Sequence, residues 1–375
     1  MMHRLQPSLK DYAWGSRSAI QEFTGISTTG GPLAEIWYGA HPSGPSRLDD
    51  GRTLEQMIRA DGPEVLGKDV YERFGGVLPY LVKLIAPGQA VSLQVHPHSD
   101  RARAGYDAQL QSPSHEHLFV DPRHKPEQIL ALTPFEGLVG LRPVDEAREV
   151  LGLFRHPLTH SALAALDGGD IRRALALLAG GSASDVTALV ALARPLAAEH
   201  VAPAKTILEL AGQYPGDAGV AVSLLLRRVR LEPGDSVMVA SGVPHAYMSG
   251  LALEVMANSD NVFRLGLTAK RVDVAESIAN TLTDPAAVSR PHGSTDAVGP
   301  DEFHVAIHDL RTGDVVIPDA GPRILVGLDG ETTIDDAAGR AQLGPGAAAF
   351  LPHGDRATAV AGVGRLAVVS VPGAA

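Results

Sequence analysis

Gln94, His96, Glu127 and His245 are the side chains of this sequence whose types could together do metal chemistry. One amide oxygen, two imidazoles and one carboxylate make a donor set suited to zinc. The chain has no cysteine, so any tightly held transition metal must be bound by oxygen and nitrogen. Gln94 and His96 end a short strand-like run after the Pro87-Gly88 turn. Alternate residues of a strand share a face, so this pair points one way and Val95 the other. His245 closes a turn-strand-turn segment that starts at Gly234 and ends Gly242-Val243-Pro244-His245. Glu127 follows the turn-like Asp121 to Pro126, just before the apolar run Ile129 to Leu132, and spacing alone does not tie it to the others. Taken singly, a Gln-x-His pair reads as well as a hydrogen-bonded core pair. Taken jointly, the two segments point to a bound metal.

The elements that must position these donors come in three textures. Residues 1–143 are rich in Gly, Pro and short β-type runs such as Glu35-Ile36-Trp37-Tyr38, Tyr80 to Ile85 and Val91 to Val95. Residues 144–216 change to Ala and Leu at helical spacing, with Val186, Leu189, Val190 and Ala193 on one face. There Ser184 is the expected N-cap and Pro195 the expected break. β texture resumes over 217–290 with Leu224 to Arg230 and Ser236 to Ala240, and short strands and turns fill 291–375. The helical block therefore reads as an insert in a mainly β protein. An internal echo aligns Pro233-Gly234 with Pro345-Gly346, which places His245 over Ala357 and leaves the second copy without that donor.

Composition limits the function classes. The formal charge of −11 argues against a nucleic-acid partner, which would require a basic face. The first residues show no signal-peptide pattern, and no apolar run reaches the roughly 18 residues of a membrane span. A soluble, cytoplasmic protein without membrane contact is expected, and a monomer.

The two segments resemble the sequence motifs of cupins, small β-barrels that hold a metal inside. Gly88, five residues and Gln94-Val95-His96 match the first motif, with Gln in place of the first His; Gly234 to His245 matches the second, with Ala240 in place of Pro. The chain further resembles the type I mannose-6-phosphate isomerases. The resemblance rests on Tyr12-Ala13-Trp14-Gly15, Ala34 to Pro42, Leu93-Gln94-Val95-His96-Pro97, His124-Lys125-Pro126-Glu127, Tyr214-Pro215-Gly216-Asp217, Gly242 to Tyr247 and Ser259 to Thr268. It covers residues 1 to about 290 in order. It implies two cupin-like β-barrels (jelly rolls): a catalytic one made of 1–143 and 217–290, interrupted by the helical insert 144–216, and a C-terminal one at 291–375 without metal. It also implies one Zn2+ per chain on Gln94, His96, Glu127 and His245, and a phosphosugar substrate.

The implied reaction moves a proton between C1 and C2 of an opened sugar through a cis-enediol. It needs an electrophile, a base and a grip on phosphate. Arg264, Lys83 and Lys125 are the candidate cations, and Lys83 is notable because it interrupts an apolar strand. Ser92 shares a face with Gln94 and is a candidate phosphate donor. Asp260 and Lys83 are candidates for the base, and His124 for assisting ring opening. A Lys base would need its pKa lowered. Trp14, Glu35, Trp37 and Tyr247 are candidates for the sugar wall, while His98, His115, His117 and His353 read as surface residues. A non-catalytic metal-binding cupin that senses a sugar phosphate is the alternative. An iron cupin doing oxygen chemistry is disfavoured by Gln94, since ferrous oxygenase sites use His and carboxylate.

Overall fold

The computed structural model describes residues 1–28, 30–111, 117–284, 288–289, 299–337 and 339–374. Among these, helix and antiparallel sheet are mixed. A seven-stranded sheet runs in the order Val288–Ser289, Ser236–Val239, Glu127–Ala131, Ala252–Ala257, Tyr80–Ile85, Glu35–Tyr38, Ser8–Lys10. A five-stranded sheet runs Phe263–Gly266, Leu93–Val95, His245–Ser249, Phe135–Leu141, Leu226–Leu231. The two share a core in which Ile85, Ile129, Val237 and Ala252 of the first meet Phe135, Val139, Val229 and Tyr247 of the second. All six residues of Tyr80–Ile85 are buried, because the other face of that sheet is covered too. That explains why the strand reads as a continuous apolar run apart from Lys83.

The helices Val144–Gly152, Pro157–Asp167, Ile171–Ala179, Ala183–Ala198 and Ala202–Gln213 fall in the segment with helical periodicity or directly beside it. Their apolar faces cover the outer side of the five-stranded sheet, where Leu93, Leu138, Ala246 and Met248 point outward. The same alternation turns Gln94, His245 and Tyr247 inward. Two local expectations are corrected. The N-cap is Ser182, not Ser184: its hydroxyl accepts from Asp185 N, and the Asp185 carboxylate accepts from Ser182 N in return. Pro195 does not break the helix, which runs to Ala198, since a proline in the last turn removes only one backbone bond.

Helices also occur where only β texture was read: Ala19–Thr24, Leu54–Leu66, Lys68–Arg73 and Ser99–Leu110. Leu54–Leu66 has a capping box between Thr53 and Gln56, a signal present in the sequence but overshadowed by the neighbouring Gly and Pro.

The later part contains a five-stranded sheet in the order His3–Leu5, Ala348–Leu351, Arg323–Asp329, Arg365–Ser370, His304–Asp309. A four-stranded sheet runs Val315–Ile317, Ala357–Val360, Thr332–Asp336, Gly339–Leu343. The echo has a local counterpart: Gly234 and Gly346 both have positive φ, and His245 and Ala357 each open a strand. The expected boundary at 290/291 lies outside the described residues. Among the described residues no single helix is long and apolar enough to cross a membrane.

Candidate metal centre and active site

Strand register brings the donors together. His245 pairs with Gln94 across the five-stranded sheet, and Arg264 pairs with Gln94 on its other side. Glu127 opens a strand of the facing sheet, opposite Met256. The result is a buried cluster in which donor atoms of His96, Glu127 and His245 all lie within 4.8 Å of one another. His96 Nε2 is 3.2 Å from Glu127 Oε1, and His245 Nε2 is 3.4 Å from Glu127 Oε2.

The tautomers follow from the outer contacts. His96 Nδ1 lies 2.6 Å from the carbonyl of Asn261, and His245 Nδ1 lies 2.9 Å from that of Val243. A carbonyl can only accept, so each Nδ1 carries the ring proton and each Nε2 presents a lone pair inward. Burial, then the Lys125 charge, lowers His96 to about 4, which keeps the ring neutral at neutral pH. Burial opposes ionisation of Glu127, but the Lys125 charge beside it holds its pKa well below the usual carboxylate range. Two lone pairs therefore face a carboxylate. His96 Nε2 and Glu127 Oε1 are buried with no hydrogen bond, although Lys125 Nζ sits 2.9 Å from that oxygen as an ion pair. Such an arrangement is costly unless a cation occupies its centre, and the donor chemistry fits zinc.

Gln94 is half-buried beside the cluster. Its Nε2 lies 3.2 Å from His245 Nε2, and its Oε1 accepts from Ser92 Oγ at 3.2 Å. Turning the amide over would present the oxygen inward and let Ser92 accept from the amide nitrogen, which is the orientation that a cation requires.

The neighbouring charges form a second buried group. Lys83 Nζ is 2.9 Å from Glu254 Oε2 and 3.9 Å from Glu35 Oε1. Lys83 pairs in register with both Glu254 and Trp37. Burial pulls its pKa down, yet Glu254, Glu35 and Glu127 outweigh burial and raise it. This is the opposite of what a lysine base needs. Burial raises Glu254, and Lys83 opposes it. Lys83→Met should destabilise the fold by about 3–5 kcal/mol, because it leaves buried carboxylates unpaired. A denaturant titration checks this, and adding Glu254→Gln should restore part of the loss.

Tyr247, expected on the sugar wall, lies against a metal-donor candidate. Only 2% of it is exposed, and its hydroxyl donates to Glu127 Oε2 at 2.8 Å. Burial, then the Glu127 charge, raises its pKa well above the ordinary value. Tyr247→Phe should weaken zinc affinity about 10–100-fold, as loss of a bond to a ligand carboxylate does, measured by competition with a chromophoric chelator.

Glu35 is also buried, and it accepts from Trp37 Nε1 at 2.7 Å. Trp14 is half-buried and stacks on Tyr12. The motif that carries Trp14 is braced by Gly15, where a Cβ would come within 2.5 Å of Ala34 backbone atoms. Asp260 is half-exposed at 48% of its side chain and lies 3.3 Å from His41 Nε2. The hydrogen bond from His41 is the largest cause lowering its pKa. His124 Nε2 lies 2.7 Å from Glu302 Oε1, outside the donor cluster.

Arg264 is half-buried. Its Nε is buried without a hydrogen bond, and no carboxylate among the described residues pairs with it. Its strand is fixed by Asp217 of the Tyr-Pro-Gly-Asp motif, whose carboxylate accepts from Leu267 N and Thr268 N. Of the histidines expected at the surface, His117 is exposed, whereas His98 and His353 are half-buried. His98 fits against Gly242, and His353 against Gly67. His115 lies outside the described residues.

Sequence reasoning missed Glu254, His41 and Asn261. Glu254 interrupts an apolar strand just as Lys83 does, so the same signal was there to be read. His41 is buried, and its Nδ1 accepts from Ser43 N. Asn261 acts through its backbone carbonyl on His96, and no residue-type signal reveals that.

Comparison with known proteins agrees with this geometry. Residues 2–144 match the family model for phosphomannose isomerase type I, catalytic domain. Mannose-6-phosphate isomerase of Escherichia coli (strain K12) is 34% identical, over 98% of this chain and 99% of its own. A crystal structure of a phosphomannose isomerase point variant from Salmonella typhimurium superposes with a TM-score of 0.90 at 32% identity, covering 99% of this chain and 100% of that one. A mannose 6-phosphate isomerase solved with zinc and yttrium gives 0.90 at 32% identity and 99% of both chains. With this likeness over nearly its whole length, the chain belongs to the type I phosphomannose isomerase family.

Proposed function

We propose that the chain interconverts mannose 6-phosphate and fructose 6-phosphate at one zinc site held by Gln94, His96, Glu127 and His245. The observation that carries the reading is the cluster itself: two Nε2 lone pairs and a carboxylate converge, buried, with His96 Nε2 and Glu127 Oε1 lacking any hydrogen bond. Two neutral imidazoles, a neutral amide and one carboxylate would leave a bound Zn2+ with net charge about +1, an electrophile able to polarise a sugar oxygen or water.

The remaining roles fall to this chain's own groups. Arg264 grips the phosphate with its free guanidinium edge, and Ser92 assists. Lys83, which its carboxylates hold as a cation, acts with Lys125 to stabilise negative charge developing on the enediol oxygens. Asp260 takes the proton between C1 and C2: it is ionised, held by His41 and half-exposed, whereas Lys83 is locked as a cation by its carboxylates. His124, steered by Glu302, assists ring opening, with Trp14 and Glu35 on the sugar side. Tyr247 holds Glu127 from beneath. We take the two facing sheets to be the metal-bearing cupin-like barrel, formed by 1–143 and 217–290 around the insert 144–216. In the same reading 291–375, joined by the strand His3–Leu5, forms a second barrel without metal, and the chain works as a cytoplasmic monomer.

An assay coupled to fructose 6-phosphate, with zinc measured on the same sample, tests the reading. Turnover that scales with zinc content supports it. A fully zinc-loaded preparation that binds the sugar phosphate without turning it over would identify a sensor instead.

A further inference from the structure

Away from the donor cluster, a cavity of about 340 Å³ opens between the start of the helix Ser99–Leu110, the segment Pro122–His124 and the end of the strand Ala252–Ala257. Its wall carries Arg73, Arg103, Arg123, His124, Ser99 and Glu302. It contains no metal donor, and none of Lys83, Lys125 and Arg264. Three arginines in one cavity are unexpected in a chain with a formal charge of −11.

Their pairing leaves positive charge available. Arg103 makes no hydrogen bond or ion pair with any described residue. The Arg123 side chain reaches only the carbonyl of Asn258, at 3.5 Å. Arg73 Nη1 donates to Asp69 at 3.0 Å and to the carbonyl of Pro372 at 3.2 Å. Glu302, the acid in the wall, is engaged by His124 at 2.7 Å. The twelve-residue helix that begins at Ser99 has no side-chain cap from His98, so its first N–H groups add partial positive charge at the same wall.

We propose that this cavity is a second anion site, fitted to a compact phosphate monoester, which holds none of the metal donors and adjoins the metal-centred cleft at His124. Guanidinium edges pair with phosphate oxygens through two donors, and an uncapped helix start favours a dianion. The volume lies in the range of small-ligand sites. Because Arg73 also holds Pro372 and Glu302 lines the wall, an occupant would lie between the helices Lys68–Arg73 and Ser99–Leu110 and the C-terminal segment. The proposal concerns binding alone and stands whether or not the isomerase reading does.

The test is calorimetric titration of the zinc-loaded protein, at low ionic strength, with glycerol 2-phosphate, a monoester that cannot be isomerised. The same titration is run on R103A/R123A and on R264A, with zinc content and melting curves as fold checks. Saturable binding is expected, weakened about ten-fold or more in R103A/R123A by the lost charge-assisted bonds and kept within about two-fold in R264A. The single variant R103Q, at an exposed residue without partners among the described residues, should show a smaller loss in the same direction if the double variant folds poorly. Three results would overturn the proposal: no saturable binding at millimolar ligand, unchanged affinity in both R103A/R123A and R103Q, or a loss in R264A as large as that in R103A/R123A.

Discussion

Glu127→Ala is expected to purify without zinc and without isomerase turnover. Its carboxylate faces both inward Nε2 atoms, accepts from Tyr247 and balances Lys125. Removing it takes away the one anionic donor of the set and leaves a buried lysine without its ion pair. Breaking a buried pair by removing one partner costs about 3–5 kcal/mol, so the variant should also unfold earlier. Glu127→Gln separates the two effects. It keeps the shape and can still accept from Tyr247, so it should recover much of the stability while zinc affinity stays low. Metal analysis after gel filtration, alongside a denaturant titration, reads both quantities. If Glu127→Ala retained stoichiometric zinc, the proposed donor set would be wrong.

Arg264→Ala should do the opposite, keeping zinc and losing most turnover. The residue sits in register with Gln94, yet its guanidinium contacts none of the three clustered donors. Burial lowers its pKa, but a guanidinium stays charged at neutral pH. A half-buried cation with no carboxylate partner is held there at a cost that a bound phosphate would offset. Losing one well-placed charged donor typically lowers kcat about 10²–10³-fold, and steady-state kinetics on zinc-matched samples measures it. Arg264→Lys should recover only part of the loss, since a point charge replaces a two-donor fork. Equal loss of zinc and activity in Arg264→Ala would instead make the residue part of the metal site's framework.

What was legible in the sequence followed from strict periodicity. Gln94 and His96 sit one alternation apart, and the resemblance to the second cupin motif joined His245 to them; register then sets His245 beside Gln94 in one sheet. Lys83 stood out because a charge inside six buried strand residues needs a partner. That partner, Glu254, gives the identical signal on the neighbouring strand, and with Glu35 it raises the Lys83 pKa, against the lowering that a base needs. Glu127 could not be placed by spacing, because the helix Ser99–Leu110 intervenes between His96 and its strand, and only the family resemblance singled it out. The bond from Tyr247 to Glu127 was hidden for a related reason. The inward direction of Tyr247 was predictable, but which layer of the cluster it fills depends on the facing sheet. The helices of the first 110 residues were hidden by Gly and Pro that lie at their ends and kinks, as Gly62-Pro63 does within Leu54–Leu66.

The central claim is that zinc at these four donors makes the chain an isomerase, and reversible metal removal tests it most directly. Zinc is stripped with a chelator, the loss confirmed by metal analysis, and turnover of mannose 6-phosphate followed as zinc is added back. The account predicts no turnover in the stripped protein and recovery in proportion to bound zinc, saturating when the site is full. Full turnover in protein shown to contain no metal would contradict it.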